Sequence, residues 1–198
     1  MLTGRWVLTV WNAEYFFFPF CEDRIIGDVI MFAKDENRTS VHAITVDLYG
    51  TDDHTAAGVF NPSDCYFDAA GYFSEDRFDG ANRLVRQKNI FGGLKWRFAQ
   101  HIPWERQRVD RVPLFMVGED TQFEDDGRLK DPEQNTLECA WHNSLTGAVA
   151  SFRVAKSLLR NPGSQFEATS FMWSQSQKFE GTSLQLMNAG FMEPGQWF

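Results

Sequence analysis

The side chains able to move protons in this chain are few and scattered. It has four histidines, three cysteines and 27 acidic residues among 198. His42 falls on the apolar side of an alternating segment. His142 shares a strand face with Glu138, and a carboxylate and an imidazole on one face can act as acid and base on one ligand. His42, Glu138 and His142 are therefore the candidate catalytic groups. His54 follows Asp52 and Asp53 in a loop, and His101 precedes Ile102-Pro103. No H-x-H, H-E-x-x-H or His/Cys cluster has metal-site spacing. The acidic run from Gln122 to Glu133 fits an EF-hand register only in part. Gln122 stands where Asp belongs and Pro132 sits beside the last ligand, so no metal is expected. G-x-S-x-G, P-loop and G-x-G-x-x-G patterns are missing, which disfavours serine-nucleophile, nucleotide-hydrolysing and dinucleotide chemistry. No cofactor is expected.

Binding chemistry is better represented. Aromatic residues make up 15% of the chain, with 19 Phe. Such rings either fill a core or line a mostly apolar pocket with a few placed polar groups. Tyr15, Phe17, Trp96, Arg97, Trp141 and Trp173 are the candidate ligand-binding residues. Between Arg83 and Arg111 eight basic residues face only Glu105 and Asp110, with Phe91, Trp96, Phe98 and Trp104 among them. That mixture suits a solvated face, an anionic small ligand gripped by arginine, or stacked bases with paired phosphates. The net charge of −8 argues against general nucleic-acid binding and favours solubility.

The elements that must position these groups read mostly as strands. Residues 4–12 alternate, with Trp6, Leu8 and Val10 facing inward, and 15–18 continue that strand up to Pro19. Residues 24–32 are a second strand candidate with Gly27 as a bulge. Residues 41–49 alternate most cleanly: His42, Ile44, Val46 and Leu48 on one face, Ala43, Thr45 and Asp47 on the other. Further strands are expected over 65–73, 94–101, 111–118 and 137–143. Residues 74–88 are ambiguous, with Ser74 placed to cap a helix, and 148–160 fit a helix or a strand. Residues 165–173 and 178–188 are expected to form a closing hairpin around 174–177. Short strands with turn signals between them predict a mainly β domain spanning 1–198, an antiparallel β-barrel with one or two short helices, or alternatively a β-sandwich.

Cys21, Cys65 and Cys139 are odd in number and widely spaced, so reduced thiols and a cytoplasmic location are expected. The apolar N-terminal run is interrupted by Asn12 and Glu14, so neither a signal peptide nor a membrane span is expected.

Leu2-Thr3-Gly4-Arg5-Trp6 resembles the Gly-x-Trp signature that opens lipocalin and related calycin barrels. Thr51-Asp52-Asp53-His54 faintly resembles that family's Thr-Asp-Tyr loop. The resemblance implies close packing at Gly4 on a barrel floor, Trp6 as its plug, Arg153 as the candidate to pack on Trp6, and a small, mostly apolar ligand inside. The functional expectation is binding of a small apolar or amphipathic molecule that carries a negative charge in one version. The protein would act as a carrier or as a cofactor-independent isomerase, cyclase or lyase. The alternatives are a structural β-sandwich subunit of a larger assembly and single-stranded nucleic-acid binding through Arg83–Arg111.

Overall fold

The computed structural model describes residues 2–51, 61–123, 129–130, 144–165 and 170–197. Its organising element is β3 (Ser40–Tyr49), buried along nearly its whole length. An alternating strand becomes buried on both faces only when other layers cover its polar side as well. Among the described residues β3 has three strand partners. β7 (Asp110–Met116) runs antiparallel to its first half, β8 (Gly147–Ser151) runs parallel to residues 43–47, and β4 (Tyr66–Asp68) pairs antiparallel at Leu48 and Tyr49. β1 (Trp6–Leu8) extends the sheet beyond β7, β2 (Glu14–Phe17) beyond β8, and β9 (Ser176–Lys178) beyond β4. The result is a seven-stranded mixed sheet curled into an open half-barrel. β5 (Phe73–Phe78) and β6 (Leu84–Phe91) form a separate two-stranded sheet. The mainly β expectation holds. The sheet differs from an all-antiparallel one at β3/β8, because the long connection between those strands lets β8 run alongside β3 rather than fold back.

Among the described residues four α-helices accompany the sheets: α1 (Ile26–Asp35), α2 (Gly93–Arg97), α3 (Arg153–Arg160) and α4 (Ser183–Asn188). Several replace expected strands. Over 24–32 the spacing of Ile26, Val29, Ile30 and Ala33 is helical. Val29 and Ala33 are buried, and the Asp28 carboxylate accepts the Ile25 N–H at 3.0 Å at the helix start. Over 94–101 a strand gives way to α2 and a short 3₁₀ turn. Gly93 (φ 60°) turns the chain so that Leu94, Phe98 and Ile102 meet Tyr49 and Leu158. Residues 74–88 form a hairpin rather than a helix. The Asp79 carboxylate accepts the Ala81 and Arg83 amides, both at 2.9 Å, and Asn82 adopts φ 57°. Residues 148–160 contain both expected forms, a strand that switches to a helix at Phe152. The closing hairpin does not form: β9 pairs with β4, and Thr182 Oγ1 caps α4 by accepting the Gln185 amide.

The even face of β3 feeds the main core, where Ile44, Val46 and Leu48 meet Phe67, Phe179 and Leu186. A second cluster seats α1 through Val29 against Val41, Leu114 and Trp197, and Trp6 packs there. Leu8 and Val10 do not face inward. They are 38% and 42% exposed, because β1 is a three-residue edge strand with β7 as its partner. Cys21 and Cys65 are free thiols. Among the described residues no helix is long and apolar enough to cross a membrane.

Candidate functional site

Thr45, on the odd face of β3, reaches a cleft of about 410 Å³ between β3, α3 and the segment from His101 to Arg111. Thr45 lies in its floor, and Ile102, Val109, Val154 and Leu158 supply an apolar wall. Among the described residues Lys95, Arg106, Arg108, Arg111 and Arg153 line it against only Glu14 and Asp110, a local excess of three positive charges in a chain of net −8.

Two of these arginines are held by buried acids. Arg108 grips Asp110 through two nitrogens, Nε donating to Oδ1 at 3.0 Å and Nη2 to Oδ2, and Oδ1 also accepts the Ile90 amide at 3.1 Å. Arg111 donates to Glu14 Oε2 at 2.9 Å and to the Thr9 carbonyl at 2.7 Å. Glu14 is held in turn by the Trp11 amide at 2.8 Å. Lys95 Nζ donates to the Arg108 carbonyl at 2.7 Å. A guanidinium has five donors, so both arginines keep spare N–H groups while their orientation is fixed. Arg106 is exposed and Arg153 lies over the Trp11 ring at 5.0 Å. The arrangement is suited to holding an anion beside apolar groups.

Behind the floor stand two buried carboxyl groups. Asp68 is saturated with donors: Tyr49 Oη at 2.5 Å, Trp173 Nε1 at 2.7 Å and Arg97 Nη1 at 3.0 Å, with Arg97 also bonding the Phe171 carbonyl at 2.8 Å. Asp47 is its opposite. Among the described residues no hydrogen bond of full geometry reaches either carboxyl oxygen or the nearby Tyr72 hydroxyl, although the Lys95 and Leu94 backbone amides lie close enough to favour the charged carboxylate slightly. Burial pushes the Asp47 carboxyl up to about 7, against the opposing pull of Lys95, with Asp68 adding to the rise. Desolvation likewise holds the Tyr72 phenol well above its usual value. The two groups approach over Gly93, where a Cβ would lie 2.9 Å from both Asp47 Oδ2 and Tyr72 Oη.

The expected site residues are dispersed. His42 is buried on the even face of β3, its imidazole pushed down to about 4 by burial and by Arg108, with Asp110 opposing. Phe17 packs edge-on against Phe179 in the core. Tyr15 is exposed on β2. Arg97 and Trp173 are brought together on Asp68, and the guanidinium also lies 4.8 Å from the indole centroid. Trp96 packs against Phe73 and is largely exposed. Glu138, Trp141 and His142, with the 137–143 strand, the 52–54 part of the loop and Cys139, lie outside the described residues. Arg153, expected on Trp6, lies over Trp11. The basic density of residues 83–111 pointed toward Lys95, Arg106, Arg108 and Arg111. Glu14, Thr45, Asp47 and Ser151 carried no local signal, because each is an ordinary polar position in an alternating strand until the fold encloses it.

Among the described residues no group of three or more His, Cys, Asp or Glu is placed to hold a metal ion. Comparison with protein-family models, curated proteins and solved structures gives no match.

Proposed function

We propose that this protein binds a small amphipathic anion in the cleft between β3, α3 and residues 101–111, as a carrier or as a cofactor-independent isomerase, cyclase or lyase. The observation that carries the reading is the cationic lining, with Arg108 and Arg111 fixed on buried acids beside an apolar wall. Preorganised donors lower the ordering cost of binding. The reading needs the cleft and not a closed barrel; closure of the calycin kind rests on Gly4-x-Trp6 alone.

Calorimetric titration with an alkyl carboxylate, an alkyl phosphate and the alcohol of equal chain length tests it. The two anions bind and the alcohol binds at least about tenfold more weakly, a gap expected for one or two charge-assisted hydrogen bonds. R106E and R153E, both at exposed positions, each weaken the anions by about tenfold and leave the fold intact. Equal binding of alcohol and anion, or anion binding indifferent to both reversals, sinks the proposal. Mass spectrometry of the recovered ligand separates the versions: an unchanged ligand marks a carrier, an isomer or fragment marks an enzyme.

A further inference from the structure

A stacked column of rings adjoins the segment that lines the cleft. Trp104 lies face to face on Phe91, with centroids 5.0 Å apart and planes inclined by 25°; Phe91 lies on Phe73 at 5.6 Å and 24°. Phe91 is buried, whereas Trp104 is 59% exposed. A ring has two faces, and Phe91 occupies one of those of Trp104, so the open side is a flat, rigid platform. Two links place it beside the cleft. Trp104 sits in the short 3₁₀ turn Trp104–Arg106, flanked by Pro103 and ending in Arg106, both of which line the cleft. Phe91 forms a backbone bridge with Arg108, the cation fixed on Asp110. Glu105 is the acid within that turn; Arg106 offsets it.

A single exposed ring needs no partner by itself; Trp104 stands out because it is stacked and belongs to the segment that lines the cationic cleft. The charge of a ligand there is set by the neighbouring cleft. A flat π-face next to preorganised cations fits a planar heterocycle joined to a phosphate, because stacking and phosphate pairing then operate together. The geometry points to a nucleotide unit as the ligand, with its phosphate in the cationic cleft and its base on the open face of Trp104. This assignment rests on the anion-binding reading and names its ligand class. The same unit is offered by a free mononucleotide and by a single strand.

The test compares adenosine 5′-monophosphate, ribose 5-phosphate and a twelve-residue oligothymidylate on the full chain. Adenosine monophosphate is expected to bind about tenfold more tightly than ribose 5-phosphate, as one stacked base provides. W104A removes that advantage while leaving ribose 5-phosphate affinity unchanged, which also shows that the variant is folded. W104F retains most of the advantage, and R106E weakens both ligands. A Trp104-dependent oligothymidylate complex without mononucleotide binding assigns the unit to a strand; mononucleotide binding unimproved by the oligomer assigns it to a free ligand. Equal affinity for adenosine monophosphate and ribose 5-phosphate, or an advantage that survives W104A, overturns the nucleotide assignment and leaves the anion reading standing. Failure of these ligands and of the alkyl anions alike overturns both.

Discussion

Asp47 and His42 lie five residues apart on β3, both buried, yet burial moves their protonation in opposite directions. The Asp47 carboxyl is raised from 3.8 to about 7, so between those values the folded state keeps a proton that the unfolded state has released. Its contribution to stability is therefore lost as pH rises from about 4 to 7. The His42 imidazole is lowered from 6.5 to about 4, so in that window the unfolded state binds a proton that the folded state refuses, and stability is lost as pH falls. The two slopes oppose each other between about 4 and 6.5. D47N, which keeps the shape and removes the charge, is expected to uncover the histidine slope. Urea unfolding of the variant should show stability climbing with pH across that window, and a neutral-pH stability above that of the wild type by a few kcal/mol. A D47N profile parallel to the wild type refutes the assignment. Nothing in the local sequence marks Asp47 as unusual. It occupies a polar position of an alternating strand, and such positions ordinarily face water. Only α2 and α3, folded over that face, turn it into a buried acid.

At the level of elements, the seam between β2, β8 and β3 is packed without slack. A Cβ at Gly147 would stand 2.6 Å from Phe16 Cε2 and 2.8 Å from the Phe17 carbonyl oxygen, so glycine is what allows β8 to begin against β2. G147A is expected to destabilise the protein by about 2 kcal/mol, the usual scale of overpacking, read as a lowered denaturation midpoint with an unchanged slope. The strand–helix ambiguity of residues 148–160 was real: four residues, 148–151, are strand, eight are helix, and the switch falls at Phe152. The same ambiguity holds for α1. Isoleucine, valine and phenylalanine suit a strand as well as a buried helix, and their three-to-four spacing decided for helix once the Asp28 cap fixed its start. In the 74–88 hairpin the opposite happened. Asp79 tied the turn, and Phe78 and Leu84, opposite each other in the hairpin, are both exposed rather than seated on a core.

Across the whole molecule, alternation along 41–49 and 111–118 was enough to indicate a mainly β domain, since period-two patterns survive any topology that buries one face. It was not enough to indicate the mixed sheet, because the direction of β8 relative to β3 is set by a connection and not by the residues of either strand. The cleft followed the same division. Its cations, Arg153 apart, were visible as a dense basic stretch, and so was Asp110, two residues from the Arg108 it orients; Glu14, which orients Arg111, belongs to a strand that meets it only through the fold. A truncated chain of residues 1–146 lacks β8, leaving β2 without its antiparallel partner and β3 with a bare edge. It is expected to give a collapsed amide spectrum with no dispersed strand resonances; native-like dispersion would contradict the central place given to β3. The parallel pairing of β3 with β8 also sets a clock. During synthesis at ~5–20 residues per second, β3 waits for about a hundred residues, or roughly 5–20 s, before β8 is made. Through that interval a ten-residue strand with four valine, isoleucine or leucine residues has one edge unclaimed, which makes the half-made chain prone to pair with the wrong strand.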